Sequence, residues 1–189
     1  VLDSALAFLK DELNTYLLAQ TGSSMVEVKL SRLVDESGKY AVEEDSLCAT
    51  VINIEEERVF KEQIPEQTYV NGQYRTFAPE LKLNLHLLFA AHFKLYDQAL
   101  KFIAYVLTYF QSHTSFTSEI YSTLDARIGK LTLELCSLNY EQLNQVWAFI
   151  GGKQLPSVIY KVRLIVLQDD GPTAVQPPLT IIGTNLHYA

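Results

Sequence analysis

Residues 81–93 read LKLNLHLLFAAHF, from Leu81 to Phe93. Apolar side chains recur at every second position, the period of a β-strand, whose side chains alternate between two faces. Leu81, Leu83, Leu85, Leu87, Phe89, Ala91 and Phe93 fall on one face; Lys82, Asn84, His86, Leu88, Ala90 and His92 fall on the other. The period then changes. Tyr96, Ala99, Leu100, Ile103, Val106, Leu107 and Phe110 recur every three or four residues, which predicts a helix over 96–110. Phe102, Tyr105 and Tyr109 form a second stripe on it, so little of the helix faces water. Two readings fit that stripe: burial between two layers of its own domain, or contact with another subunit, where Tyr and Phe are favoured anchors.

Working outward, Leu2, Leu6, Leu9, Leu13, Tyr16 and Leu17 mark a first helix, with Gly22 as its C-terminal cap. Residues 25–30 alternate as a half-buried strand, and 35–45 read as a loop or hairpin around Gly38. Leu47–Ile54 (LCATVINI) is a buried strand. Residues 61–80, with Pro65, Gly72 and Pro79, form a long irregular excursion, and such excursions are usually functional or mobile. On the other side, 112–128 read as a polar loop and 130–138 as a strand. Asn139 caps a short helix with Gln142 as its capping-box partner. Leu143, Val146, Trp147 and Ile150 form that helix's apolar face, and Gly151-Gly152 end it. Residues 156–168 alternate as a strand. Residues 171–189, punctuated by Gly171, Pro172, Pro177, Pro178 and Gly183, read as an extended C-terminal arm. The order gives an α/β (α+β) class with a mixed β-sheet flanked by helices: a domain over 1–170 and an arm over 171–189.

The chain has 189 residues, 48% apolar and 20% charged, which excludes wholesale disorder and is long enough to bury a core without disulfides or metal. Its net charge of −7 is uneven: residues 35–67 hold ten carboxylates against three basic groups, and the remainder balances. Such a patch repels phosphate backbones and argues against nucleic-acid binding. It reads either as a solvated face or as a docking patch for a basic surface. No apolar run reaches the length of a membrane span, and the first residues lack the pattern of a signal peptide.

The residue types that carry chemistry do not assemble in the sequence. His86 and His92 share a strand face but lie about 20 Å apart at ~3.3 Å per residue, too far to share a metal. Cys48 and Cys136 sit in apolar strands as core thiols. No Gly-x-Ser-x-Gly is present, and Gly151-Gly152-Lys153-Gln154 follows a helix, whereas a phosphate loop follows a strand. Of Glu55, Glu56 and Glu57, only the first and last share a face, and neither has an evident base or nucleophile beside it. The expectation is no enzyme, no cofactor and no metal.

Several blocks carry a resemblance. They are Val1-Leu2-Asp3-Ser4-Ala5-Leu6, Asn53-Ile54-Glu55-Glu56-Glu57-Arg58, Leu83-Asn84-Leu85-His86-Leu87-Leu88-Phe89-Ala90-Ala91 with the aromatic helix after it, Tyr140-Glu141-Gln142-Leu143-Asn144 through Gly151-Gly152-Lys153, Leu155-Pro156-Ser157, and Tyr160-Lys161-Val162-Arg163. In this order, over residues 1–170, they resemble the N-terminal domain of the cap (tail-terminator) subunits of extracellular contractile injection systems, the phage-tail-like particles of the antifeeding-prophage and virulence-cassette kind. The resemblance implies a phage tail-terminator-like fold and a bacterial structural protein. It implies a homo-oligomeric ring, a hexamer, closing the baseplate-distal end of the inner tube and sheath, with the inner tube protein and the sheath protein as partners and neither nucleic acid nor membrane. Assembly in the bacterial cytoplasm and release within an extracellular particle follow from the same likeness. The alternatives are an adaptor or baseplate protein of such a particle, or a ligand-binding α/β domain. The interface candidates are Glu55, Glu56, Glu57 and Arg58; Phe102, Tyr105 and Tyr109; Lys153, Lys161 and Arg163; and, in an arm that adds to a neighbour's sheet or pairs with its own, Leu179 and Ile181.

Overall fold

A computed structural model describes residues 1–57, 66–70, 73–77, 81–166 and 174–176. Among the described residues, three helices, α1 (Leu2–Thr21), α2 (Tyr96–Ser112) and α3 (Tyr140–Ile150), accompany nine strands: β1 (Val28–Leu30), β2 (Ser46–Glu56), β3 (Glu66–Val70), β4 (Gln73–Phe77), β5 (Leu81–His92), β6 (Ser115–Thr117), β7 (Ile128–Cys136), β8 (Ser157–Val166) and β9 (Ala174–Gln176). Six strands form a mixed sheet in the order β1-β2-β5-β8-β7-β6. Only the β1–β2 pair is parallel; every other neighbour in the sheet is antiparallel. The class read from the sequence is the class observed.

β5 sits near the middle of the sheet, and its two-residue period sorts the core. Leu85, Leu87, Phe89 and Ala91 face α1 and α2, together with Leu47 and Ala49 of β2, Leu131 and Leu133 of β7, and Tyr160, Val162 and Leu164 of β8. From the helices, Phe8, Leu9, Leu13 and Leu17 of α1 and Phe102, Ile103, Val106 and Phe110 of α2 close this layer. Burying a side chain such as Phe89 or Leu87 contributes about 1.5–3 kcal/mol over leaving it in water. A second, smaller core lies on the opposite face, where Cys48, Leu88, Ala90 and Ile159 meet Trp147 of α3 with Leu33 and Val42. The domain is therefore three-layered at one end of the sheet, and α3 covers the half of the second face where β5 turns apolar.

The helix ends follow their local chemistry. Gly22 caps α1 in the left-handed conformation (φ 66°), donating its N–H to the Leu18 carbonyl. Asn139 Oδ1 accepts from the Gln142 N–H at 2.8 Å and Gln142 Oε1 accepts from the Asn139 N–H at 3.0 Å, the capping box expected from the sequence. Three short features depart from the reading. The 112–128 loop contains β6, whose Phe116 is fully buried; the 61–80 excursion contains the β3–β4 hairpin; and Ala174–Gln176, in the segment read as an arm, pairs antiparallel with β4 of the same chain. Runs of three to five residues are too brief for periodicity to separate strand from loop, and long-range pairing decides them.

Candidate functional surface

The second face of the sheet divides in two. Beyond the reach of α3 it is polar, and register fixes who meets whom: Glu55 lies opposite Asn84, Asn53 opposite His86, Asn84 opposite Arg163, His86 opposite Lys161, and Glu134 opposite Lys161. Asn84 is 4% exposed and Glu57 8%. Asn84 Nδ2 donates to Glu57 Oε2 at 3.0 Å. Arg163 reaches Glu57 (Nε–Oε2 3.9 Å) and Glu134 (Nη2–Oε2 3.8 Å), and His86 Nε2 lies 3.6 Å from Glu55 Oε2. These three contacts are too long to be hydrogen bonds. Among the described residues, Asn84 Oδ1, His86 Nε2 and Arg163 Nε are buried without a hydrogen-bond partner.

At the boundary between the halves, α3 and the sheet leave a groove of about 480 Å³ lined by Ile52, Asn53, His86, Leu138, Val146 and Phe149. Phe149 is 78% exposed. A second groove, about 450 Å³, runs between α2 and α3 past Tyr96, Leu100, Leu143, Leu155 and Pro156, and Tyr140 at the start of α3 is 93% exposed. α3 thus buries one side chain, Trp147, and turns large aromatic groups outward from both ends.

The candidates named from sequence separate on this framework. Phe102 stacks on Phe93 (4.9 Å), Tyr105 meets Phe102 and Tyr16 edge-on, and Tyr109 packs on Tyr16 at 5.0 Å. Phe102 and Tyr109 are buried inside the chain, Phe102 on Phe93 and Tyr109 against α1, the first of the two readings of that stripe, and Tyr105 is half-buried beside them. Tyr109 donates its O–H to Glu12 Oε2 at 3.2 Å; burial and the Glu12 charge hold its phenol well above the usual range. Glu57 and Arg163, both named as interface candidates, come together within one chain, whereas Glu55, Glu56 and Lys153 are exposed and Lys161 is half-buried. Arg58, Leu179 and Ile181 lie outside the described residues. Burial pushes the Cys48 and Cys136 thiols up, so both stay protonated near neutrality. Among the described residues, no three His, Cys, Asp or Glu side chains converge as a metal site, and no helix is long and apolar enough to cross a membrane. The grooves at Phe149 and Tyr96 escaped the sequence reading. The signal for the first was the excess of aromatics on a helix too short to bury them.

Comparison with solved structures defines the class: the fold is that of tube-terminating caps of contractile injection systems. A cryo-EM structure of the PVC sheath/tube terminator in the extended state superposes with a TM-score of 0.61 at 11% identity, over 94% of this chain and 62% of that one. The cap of the anti-feeding prophage superposes with a TM-score of 0.62 at 15% identity, over 94% of this chain and 60% of that one. Residues 5–181 match the family described as the Pvc16 N-terminal domain, and the chain belongs to that family. The match runs past Asp170, through β9. No curated protein matches. The chain spans about three-fifths of the length of the solved chains it resembles.

Proposed function

We propose that this chain is the N-terminal domain of a cap that ends inner-tube and sheath polymerisation at the baseplate-distal end of a contractile injection particle and holds the extended sheath. The observation that carries the reading is fold likeness to two such terminators over 94% of the chain, joined to the family match over 5–181. The role is structural rather than enzymatic, in keeping with a buried Cys48 thiol kept protonated and a polar face whose charges pair with one another. The chain works as a ring, most simply of six copies, since a terminator matches the symmetry of the tube it closes. Contacts with neighbours draw on the exposed Glu55, Lys153 and Tyr140 and on the half-buried Lys161. Exposed charge pairs of this kind are worth ~0.2–1 kcal/mol each and set register more than affinity.

Electron microscopy of particles carrying a labelled copy tests the reading. The label is expected at the distal end, and particles lacking the protein are expected to have uncontrolled tube and sheath lengths. Label at the baseplate would instead favour an adaptor. Particles of uniform normal length without the protein would overturn the terminator role.

A further inference from the structure

The edge of β2 that no described strand covers carries a device against strand addition. β1 covers only the first part of that edge: the Leu47 N–H donates to the Glu27 carbonyl at 3.1 Å, and the Ala49 carbonyl accepts from the Ser31 N–H at 3.3 Å. No described strand pairs with β2 beyond Ala49 on this side. A long strand edge without a partner strand is a template for another chain.

Three features oppose that use. The first is register. Leu47 and Ala49 point their backbone groups outward, so alternation sends Val51 outward as well. At the far end, the Glu57 N–H donates inward to the Lys82 carbonyl, so Ile54 points outward. Between them the ladder slips: Val51 pairs with Leu87, but Asn53 pairs with His86, leaving Ile52 as a bulge. Successive outward positions are then three residues apart instead of two, and a straight strand, whose outward groups repeat about every 7 Å, cannot match both. The second is a side chain in the place of a partner. Asn53 Oδ1 accepts the Ile54 N–H at 2.9 Å, while Asn53 Nδ2 donates to Glu55 Oε1 at 2.8 Å, which fixes the amide in that orientation. The third is charge: Glu55 stands exposed next to Ile54, itself an apolar side chain 52% exposed.

We propose that the Asn53–Glu55 clip and the Ile52 bulge guard the β2 edge, so that copies of this chain cannot add to one another strand to strand into an open-ended sheet. The proposal goes beyond the cap reading and does not depend on it, because it concerns how one edge is closed, whatever the particle.

The test uses the whole chain with Asn53→Thr and Glu55→Thr together, β-compatible changes that release the Ile54 N–H and remove the charge, both at side chains already exposed. Light scattering and thioflavin fluorescence are followed against protein concentration, with the melting temperature measured in parallel. The wild-type chain is expected to keep a defined, thioflavin-silent assembly. The double variant is expected to form thioflavin-positive material at about tenfold lower concentration. Adding Ile54→Lys, a lysine on the same edge, is expected to reverse this without changing the fold. A double variant that stays as soluble as wild type overturns the proposal. So does one whose aggregation only tracks a fall in melting temperature, or one that Ile54→Lys fails to rescue.

Discussion

Gly152→Ala probes how the second core is held together. Gly151 caps α3 in the left-handed region at φ 78°, but Gly152 lies outside it, so alanine there meets no backbone penalty. The cost is steric. A Cβ at 152 would stand 2.8 Å from Val34 Cγ2 and 3.5 Å from Tyr40 Cε1. Carbon atoms at rest sit about 3.5–4.0 Å apart, so Val34 has to give by roughly 0.7 Å or more. It has little freedom to do so. Val34 bridges to Tyr40 across a turn closed by the Asp35 N–H donating to the Lys39 carbonyl at 2.8 Å. Tyr40 in turn donates its O–H to the Lys153 carbonyl at 2.6 Å and packs on His92 at 4.6 Å. Forcing a methyl into such a site costs about 1–3 kcal/mol. Val34→Ala removes the opposing methyl and costs ~1 kcal/mol by itself. The double variant is therefore expected to be about as stable as Val34→Ala alone, a coupling of ~1–3 kcal/mol in favour of the pair. Urea unfolding reports this directly, because the only tryptophan, Trp147, lies in the same core. Additive losses, or a Gly152→Ala chain as stable as wild type, would refute the close approach.

Two further outcomes follow from buried side chains. Trp147 is 5% exposed, and its Nε1 has no hydrogen-bond partner among the described residues, so Trp147→Phe, which keeps one aromatic ring in place of two and loses no bond, is expected to cost ~1–2 kcal/mol and Trp147→Ala ~3–5 kcal/mol, measured by thermal unfolding. Burial pushes the Tyr160 phenol up to about 12 from 10.0, so the unfolded chain ionises there first. The stability this group contributes is complete below pH 10 and is lost as pH rises from there towards 12, by ~2–3 kcal/mol. Tyr160→Phe should flatten that part of the alkaline unfolding profile, and an unchanged slope would mean the phenol is not buried as described.

Much of the fold is legible in single elements. The alternation of 81–93 specifies a strand because a pleated backbone turns successive side chains to opposite faces, and the same stretch already records a division of its second face: Lys82, Asn84 and His86 are polar, Leu88 and Ala90 apolar. The capping box at Asn139 and the glycine ends of α1 and α3 are equally local, since each satisfies backbone groups within a turn of its own residue. The resemblance to injection-system caps likewise rests on blocks contiguous in the chain.

Partnership was decided elsewhere. Nothing in the residue type of Tyr109 distinguishes a subunit contact from a contact with α1; only the placement of Tyr16 and Glu12 across from it does so. Glu57 and Arg163 are more than a hundred residues apart in the chain, and their meeting depends on β5 lying between β2 and β8 in one register. The short strands β6 and β9 exist because a longer neighbour supplies their hydrogen bonds. The bulge at Ile52 is visible only against the partner strand that it fails to match. Local periodicity encodes which face of an element is apolar. Which surface meets that face, and which backbone edge is left open, is a property of strand order and register, and those depend on contacts that the linear spacing of residues does not record.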